Sequence, residues 1–355
     1  MSEPQRAGPA AAEESFFVGG REIRDEHGDV HIVGQMYVRT HRGTDLAATP
    51  IALFHGGAQT GHFYEHAPDG GPGFAQLLAE FGRTVYVVDL PGIGRSRYHE
   101  PTDGPLTHYS AELIELIFTA NAVHGHWPTA HLHDQWPGSG QRGDPTFDAF
   151  YATQVGRLAD EAATERSVRA AGAALVDRIG TCFLLSHSQA GPPVWHIADA
   201  RPGSVRGVVA IEPKGPPYFD AGDDPTAGPP PRPFGITATP LTYDPPVEPD
   251  ATGLPFASEP ARAGTSPDGP AVRPEPPRML PALAQAPELL ITGEASYHTT
   301  YDHRTAAFLR DAGVVTDHVR LGEHGIHGNG HLLTLENNRA DIAALVETWL
   351  SNHDG

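Results

Sequence analysis

Apolar residues in this chain follow two rhythms. Apolar runs at residues 50–54, 84–89, 181–185, 205–211 and 288–293 read as strands, and the more polar 317–321 reads as a further strand. Between them, residues 74–81, 111–120, 150–179, the stretch from Pro193 onward, 305–312 and 339–350 carry helical spacing, the last with Ile342, Leu345, Val346 and Leu350 on one face. Buried strands alternating with helices predict an α/β fold, a mostly parallel sheet covered on both sides. Ahead of it, Phe16-Phe17-Val18 and the alternating residues 30–38 predict an antiparallel hairpin or meander. No internal repeat is found.

Two stretches break both rhythms. Residues 121–150 carry His124, His126, His131, His133, Trp127 and Trp136. Two His-x-His pairs raise a metal site, but no cysteine or acidic cluster accompanies them, so a packed aromatic excursion is expected, with no metal and no cofactor. Residues 213–281 hold twenty of the 35 prolines, which excludes long regular elements. This segment is either an ordered cap over the strand ends or a partly disordered insertion. Everything from residue 16 to 355 reads as one domain. Residues 1–15, rich in Ala, Glu and Pro without an apolar core, read as a mobile tail and not a secretory signal, so a cytoplasmic protein is expected.

Composition narrows the partners. A formal charge of −20 over 355 residues argues against nucleic acid and anionic membrane surfaces, and no apolar run approaches a membrane span. A small molecule is the expected partner. The single cysteine, Cys182, excludes an intrachain disulfide and reads as a small buried hydrophobe.

Candidate chemistry gathers after the strands, where a doubly wound sheet keeps its working groups. Ser186-His187-Ser188-Gln189-Ala190-Gly191 lies between a strand and a helix, with small residues two positions either side of Ser188. This is a variant of the Gly-x-Ser-x-Gly nucleophile elbow, although an ordinary helix N-cap would show the same serine. A serine nucleophile needs a base and a carboxylate to orient it, in the chain order nucleophile, acid, histidine. Glu212 ends the strand after the elbow helix. Glu294, just beyond the next strand and the more usual placement, and Asp302 are alternatives that spacing leaves open. Among His324, His327 and His331, the turn Gly328-Asn329-Gly330 favours His331, at an expected helix start, without excluding His327. The oxyanion hole needs backbone N–H groups. Gln189 follows the nucleophile, and His55-Gly56-Gly57 supplies a second donor at Gly57 or, next in order, Ala58. Each such donor is worth roughly 3–4 kcal/mol of barrier. Asp89 precedes the nucleophile and is read as fixing its own loop.

Taken together, these residues resemble the α/β-hydrolase superfamily and, within it, the bacterial carboxylesterase family named for esterase 713. The similar stretches are residues 55–61, 89–96, 135–138, 186–191, 211–213, 293–298 and 328–331. The resemblance implies the α/β-hydrolase fold, Ser188 as nucleophile, His331 as base, Glu212 rather than Glu294 as acid, and oxyanion donors at Gly57 and Gln189. It also implies a homodimer and an activity on carboxylic esters or lactones. One departure stands out: the family type has adjacent cysteines where Gly57-Ala58 stand here. The alternative is a non-hydrolytic enzyme on the same scaffold, an isomerase or cyclase, or a ligand-binding protein.

Overall fold

The computed structural model describes residues 15–220, 231–258 and 272–354. The strands are β1 (Ser15–Arg24), β2 (Val30–His41), β3 (Ile51–Phe54), β4 (Val85–Asp89), β5 (Leu106–Thr107) and β6 (Arg157–Leu158), followed by β7 (Cys182–His187), β8 (Val205–Ile211), β9 (Phe256–Ser258), β10 (Val272–Pro274), β11 (Glu288–Thr292) and β12 (Thr316–Arg320). Eight of them form one sheet in the order β1-β2-β4-β3-β7-β8-β11-β12. From β4 to β12 neighbouring strands are parallel, while β1 and β2 add an antiparallel edge. This is the α/β-hydrolase architecture.

Both faces of the central strands are buried because successive side chains point to opposite sides. Cys182 and Leu184 of β7 enter one core with Val168, Leu175, Trp195 and Ile197. Phe183 and Leu185 enter the other with Phe74, Leu78, Ile342 and Val346. Cys182 is fully buried, and burial pushes its thiol up to about 12, so it stays protonated. No helix among the described residues is long and apolar enough to cross a membrane.

Several elements differ from their expected outlines. The long helical stretch at 150–179 is two helices, Pro145–Ala152 and Glu161–Ile179, separated by β6. Asp144 and Asp160 explain the split: at the start of its helix Asp144 accepts the N–H groups of Thr146 and Phe147, and Asp160 that of Ala163. The helix expected over 111–120 is one α turn, Ala111–Ile114, running into a π-helical turn, Glu115–Thr119. His331 lies in a series of turns rather than at a helix start; the last helix begins at Arg339. The expected tail lies outside the described residues except for Ser15, which opens β1.

The described part of the proline-rich segment packs on the helix layer. Phe234, Ile236, Leu241, Tyr243 and Leu254 share the core of Trp195 and Ile197. Buried acids of the helices Glu161–Ile179 and Gly191–Ala200 hold its backbone: Glu165 accepts the N–H groups of Ala238 and Thr239, each at 2.7 Å, and Asp199 accepts that of Thr242 at 3.0 Å. Residues 221–230 and 259–271 of this segment lie outside the described residues.

Candidate active site

Ser188 sits on the turn between β7 and the helix Gly191–Ala200, with φ of +53°. A non-glycine residue in this left-handed region stores strain and persists only where its surroundings hold it. The Ser188 carbonyl accepts the Lys214 N–H at 2.9 Å, and the flanking Ser186 and Ala190 are fully buried. Opposite, a Cβ on Gly56 would lie 2.9 Å from His187 Nδ1 and 3.1 Å from Ser188 Cβ, so glycine is needed there.

His331 joins this serine to a carboxylate. Its Nε2 lies 3.0 Å from Ser188 Oγ, and its Nδ1 lies 2.6 Å from Glu212 Oε2. Glu212 follows β8 in a left-handed conformation (φ +44°) and is fully buried. Its other contacts are donors: the Gly293 N–H at 2.7 Å and the Ser296 hydroxyl at 2.7 Å. These fix which oxygen faces the imidazole.

Aromatic rings enclose His331. Phe118 stacks on it at 5.1 Å, His298 at 4.8 Å with planes 9° apart, and His187 and Tyr297 tilt against it at 4.6 and 5.1 Å. The π-helical turn delivers Phe118 to this position. His187 donates from Nε2 to the His331 carbonyl at 2.9 Å, holding its backbone. Burial, with His187 and His298 adding to it, holds the His331 imidazole well below its ordinary value. Burial likewise pushes the Glu212 carboxyl well up, with Asp302 adding to the shift, against the pull of the Ser296 and Gly293 bonds. Burial disfavours the charged form of each group. An uncharged His331 has its Nε2 lone pair free for the serine proton.

Gly57 and Gln189 lie side by side. A Cβ on Gly57 would strike Gln189 Oε1 and lie 3.2 Å from the Tyr109 hydroxyl. Ala58, the runner-up donor, takes a left-handed φ of +59° without the paired cysteines of the family type. His55 ties this loop to the next one, accepting the Leu90 N–H at 3.1 Å on Nε2 while Nδ1 meets the Gly56 carbonyl. Asp89 braces the loops on either side, accepting the N–H groups of Gly61 and Arg95 and the Arg95 guanidinium.

The other candidates are engaged elsewhere. Glu294 meets His327 at 3.1 Å and accepts the Gly328 N–H. Asp302 meets His298 at 2.9 Å and accepts the Thr292 hydroxyl. His324 and His327 are exposed. In the 121–150 excursion, His133 is buried against Glu336 at 3.0 Å, whereas His124 and His126 are exposed and stack on each other.

One group has metal-like spacing. Glu212, His298 and His331 bring ligand atoms within 4.8 Å of one another. Two ligands of one zinc ion, each about 2 Å from it, stand roughly 3 Å or more apart. The 2.6 Å between Glu212 and His331 is a hydrogen bond instead. His298 has both ring nitrogens occupied, by Asp302 and by the Tyr301 hydroxyl. The donor set does not fit an ion.

Residue patterns gave no role to His187, His298, Ser296 or Phe118. His187, Ser296 and His298 lie inside the similar stretches, but only packing reveals what their side chains touch.

No family model matches the chain. It is 40% identical over 347 residues to the "Probable secreted lipase phiG" of Fungal sp. (strain ATCC 74256), covering 98% of this chain and 92% of that one. The chain belongs to the α/β-hydrolase esterase and lipase family. Among solved structures, this family member is similar to a bacterial esterase determined at atomic resolution, with a TM-score of 0.61, 21% identity and full coverage of both chains. Carboxylesterase CesB (YbfK) from Bacillus subtilis aligns more loosely, with a TM-score of 0.43 and 14% identity over 96% of this chain and 92% of its own. The lipase relative's name describes that protein as secreted.

Proposed function

We propose that this esterase and lipase family member hydrolyses a small carboxylic ester or lactone through an acyl-enzyme on Ser188. The observation that carries this reading is the His331 ring, 3.0 Å from Ser188 Oγ at one nitrogen and 2.6 Å from Glu212 at the other. In the first half-reaction Ser188 Oγ attacks the acyl carbon while His331 Nε2 takes its proton. Glu212 keeps the imidazole's other proton on Nδ1 and offsets the imidazolium charge. The tetrahedral oxyanion is held by the backbone N–H groups of Gly57 and Gln189. His331 then returns the proton to the departing alkoxide, leaving the acyl-enzyme. In the second half, water repeats the attack with His331 again as base, releasing the acid and restoring Ser188.

The test combines a fluorophosphonate probe with p-nitrophenyl esters. Labelling of wild-type Ser188, and loss of turnover in Ser188→Ala, is the expected result. A wild-type enzyme that cleaves the ester without being labelled at Ser188 would overturn it.

A further inference from the structure

The chain from Gly325 to Asn338 forms neither helix nor strand, yet it carries His331. No ladder of backbone bonds holds this loop, so other groups must set where the imidazole stands. Glu336, just after His331 and fully buried, supplies much of that hold. It accepts the Gly330 N–H at 3.0 Å and an Asn329 side-chain N–H at 2.8 Å, and it meets His133 Nε2 at 3.0 Å. Each of these partners can donate, which suits the acceptor-only oxygens of an ionised carboxylate. His133 comes from the 121–150 excursion, whose backbone also joins the loop. The Asp134 N–H donates to the Gly328 carbonyl at 3.2 Å, and the Asn337 N–H donates to the Gln135 carbonyl at 2.9 Å. The ester chemistry above gives these groups no part.

The contacts fall on particular peptide groups. In the Asn329–Gly330 peptide, the carbonyl accepts the Ala295 N–H at 2.8 Å while the N–H donates to Glu336, so the plane is held at both ends. Beyond the histidine, the His331 carbonyl accepts from His187 Nε2 at 2.9 Å. The His331 Cα is thus suspended between two anchored peptide planes, with few free torsions between them. Ala295 lies between the Gly293 and Ser296 donors of Glu212, so one clamp sets the imidazole relative to its carboxylate partner. Gly330 leaves no slack: a Cβ there would lie 2.8 Å from His133 Nε2 and 3.1 Å from Glu336 Oε1. Such control matters because a misplacement of about 1 Å can cost about 100-fold in rate.

We infer that Glu336, held in place by His133, is a positioning residue for His331: it fixes the peptide ahead of the histidine so that Nε2 stays on Ser188 and Nδ1 on Glu212. The 121–150 excursion thereby acts on the reaction from behind the imidazole, without touching substrate. This rests on the acyl-enzyme reading of Ser188.

Two variants test it. Glu336→Met fills similar space without an acceptor, and Glu336→Gln keeps one oxygen for the Gly330 N–H. Turnover of a p-nitrophenyl ester is measured per Ser188 titrated with the fluorophosphonate, so unfolded protein does not count. Glu336→Met should lower kcat about 100-fold with KM held within about twofold. Glu336→Gln should lose only about tenfold, on the order of one hydrogen bond. In proton NMR, the His331 Nδ1–H shared with Glu212 should give a downfield signal that the Met variant shifts or loses and the Gln variant retains. A merely stabilising role would lower the melting temperature and leave both kcat per titrated site and this signal unchanged; that result overturns the inference. If the Met variant fails to fold, the Gln variant decides alone: a loss near tenfold supports the clamp, and an unchanged kcat overturns it. If the wild type cleaves the ester without labelling at Ser188, the acyl-enzyme reading falls instead. The downfield signal then tests the clamp by itself, with a change in Glu336→Met supporting it and an identical signal overturning it.

Discussion

Two buried histidine–carboxylate pairs stack against each other in this protein. His331 has Glu212 at 2.6 Å on Nδ1 and Ser188 Oγ at 3.0 Å on Nε2. His298, stacked 4.8 Å away with its ring nearly parallel, has Asp302 at 2.9 Å on Nδ1 and the Tyr301 hydroxyl at 2.8 Å on Nε2. In burial and hydrogen bonding the two are alike. They differ in the last group of each line. Ser188 stands on a strained turn beside the Gly56-Gly57 loop, and Tyr301 is packed in the interior, 4% exposed. A buried His–carboxylate pair is therefore not a catalytic signal by itself. The hydroxyl at its end, and that hydroxyl's access to a carbonyl, decide its use.

The sharpest way to break this contrast is Ser188→Ala, expected to lower kcat for a p-nitrophenyl ester by about 10⁶-fold with the melting temperature little changed. Next comes an exchange at the two carboxylates. In Glu212→Gln the Gly293 N–H claims the amide oxygen, so the NH₂ faces His331 Nδ1 and forces its proton onto Nε2. Turnover should fall by about 10⁴-fold. Asp302→Asn, on the second pair, should cost no more than about tenfold in kcat. Equal losses in both would erase the distinction.

The pH–rate profile sharpens the comparison further. Because burial lowers His331 well below its ordinary value, the uncharged base persists as the medium is acidified, and activity falls only when pH drops through that depressed value. The acid limb of kcat/KM for an uncharged ester should therefore lie below pH 6.5.

The smallest effect concerns a third buried carboxyl. Among the described residues, the Glu288 carboxyl is met only by the Trp195 indole N–H, and burial raises it to about 8 against that donor. A carboxyl raised in the folded state stays protonated while the unfolded chain ionises, so its contribution to stability falls as pH rises from about 4.5 to 8, by about 1.4 kcal/mol per unit. Glu288→Gln should raise the melting temperature at pH 8 and leave it nearly unchanged at pH 4.5. Scanning calorimetry at both pH values reads this.

Much of the molecule was legible from its linear pattern. The apolar runs became β3, β4, β7, β8 and β11, because a strand buried on both faces leaves few polar positions along its length. The boundaries at 111–120 and 150–179 were not legible. A π-helical turn and a helix restarted by Asp160 both keep the apolar spacing of a continuous helix. Spacing also left the choice among Glu212, Glu294 and Asp302 open, since all three follow strands of the sheet.

What the sequence determined by itself was the type and order of the chemistry: a small-flanked serine after one strand, acids after the next two, and histidines after the last. Tertiary structure alone decided which of them meet. Glu212 reaches His331 because β8 lies between β7 and β11, and the Gly293 and Ser296 donors turn its carboxylate inward. Glu294, close by in the same rim, turns outward to His327. Periodicity along a chain records how residues divide between core and solvent, and the direction of a side chain at a strand end depends on donors brought there by distant segments.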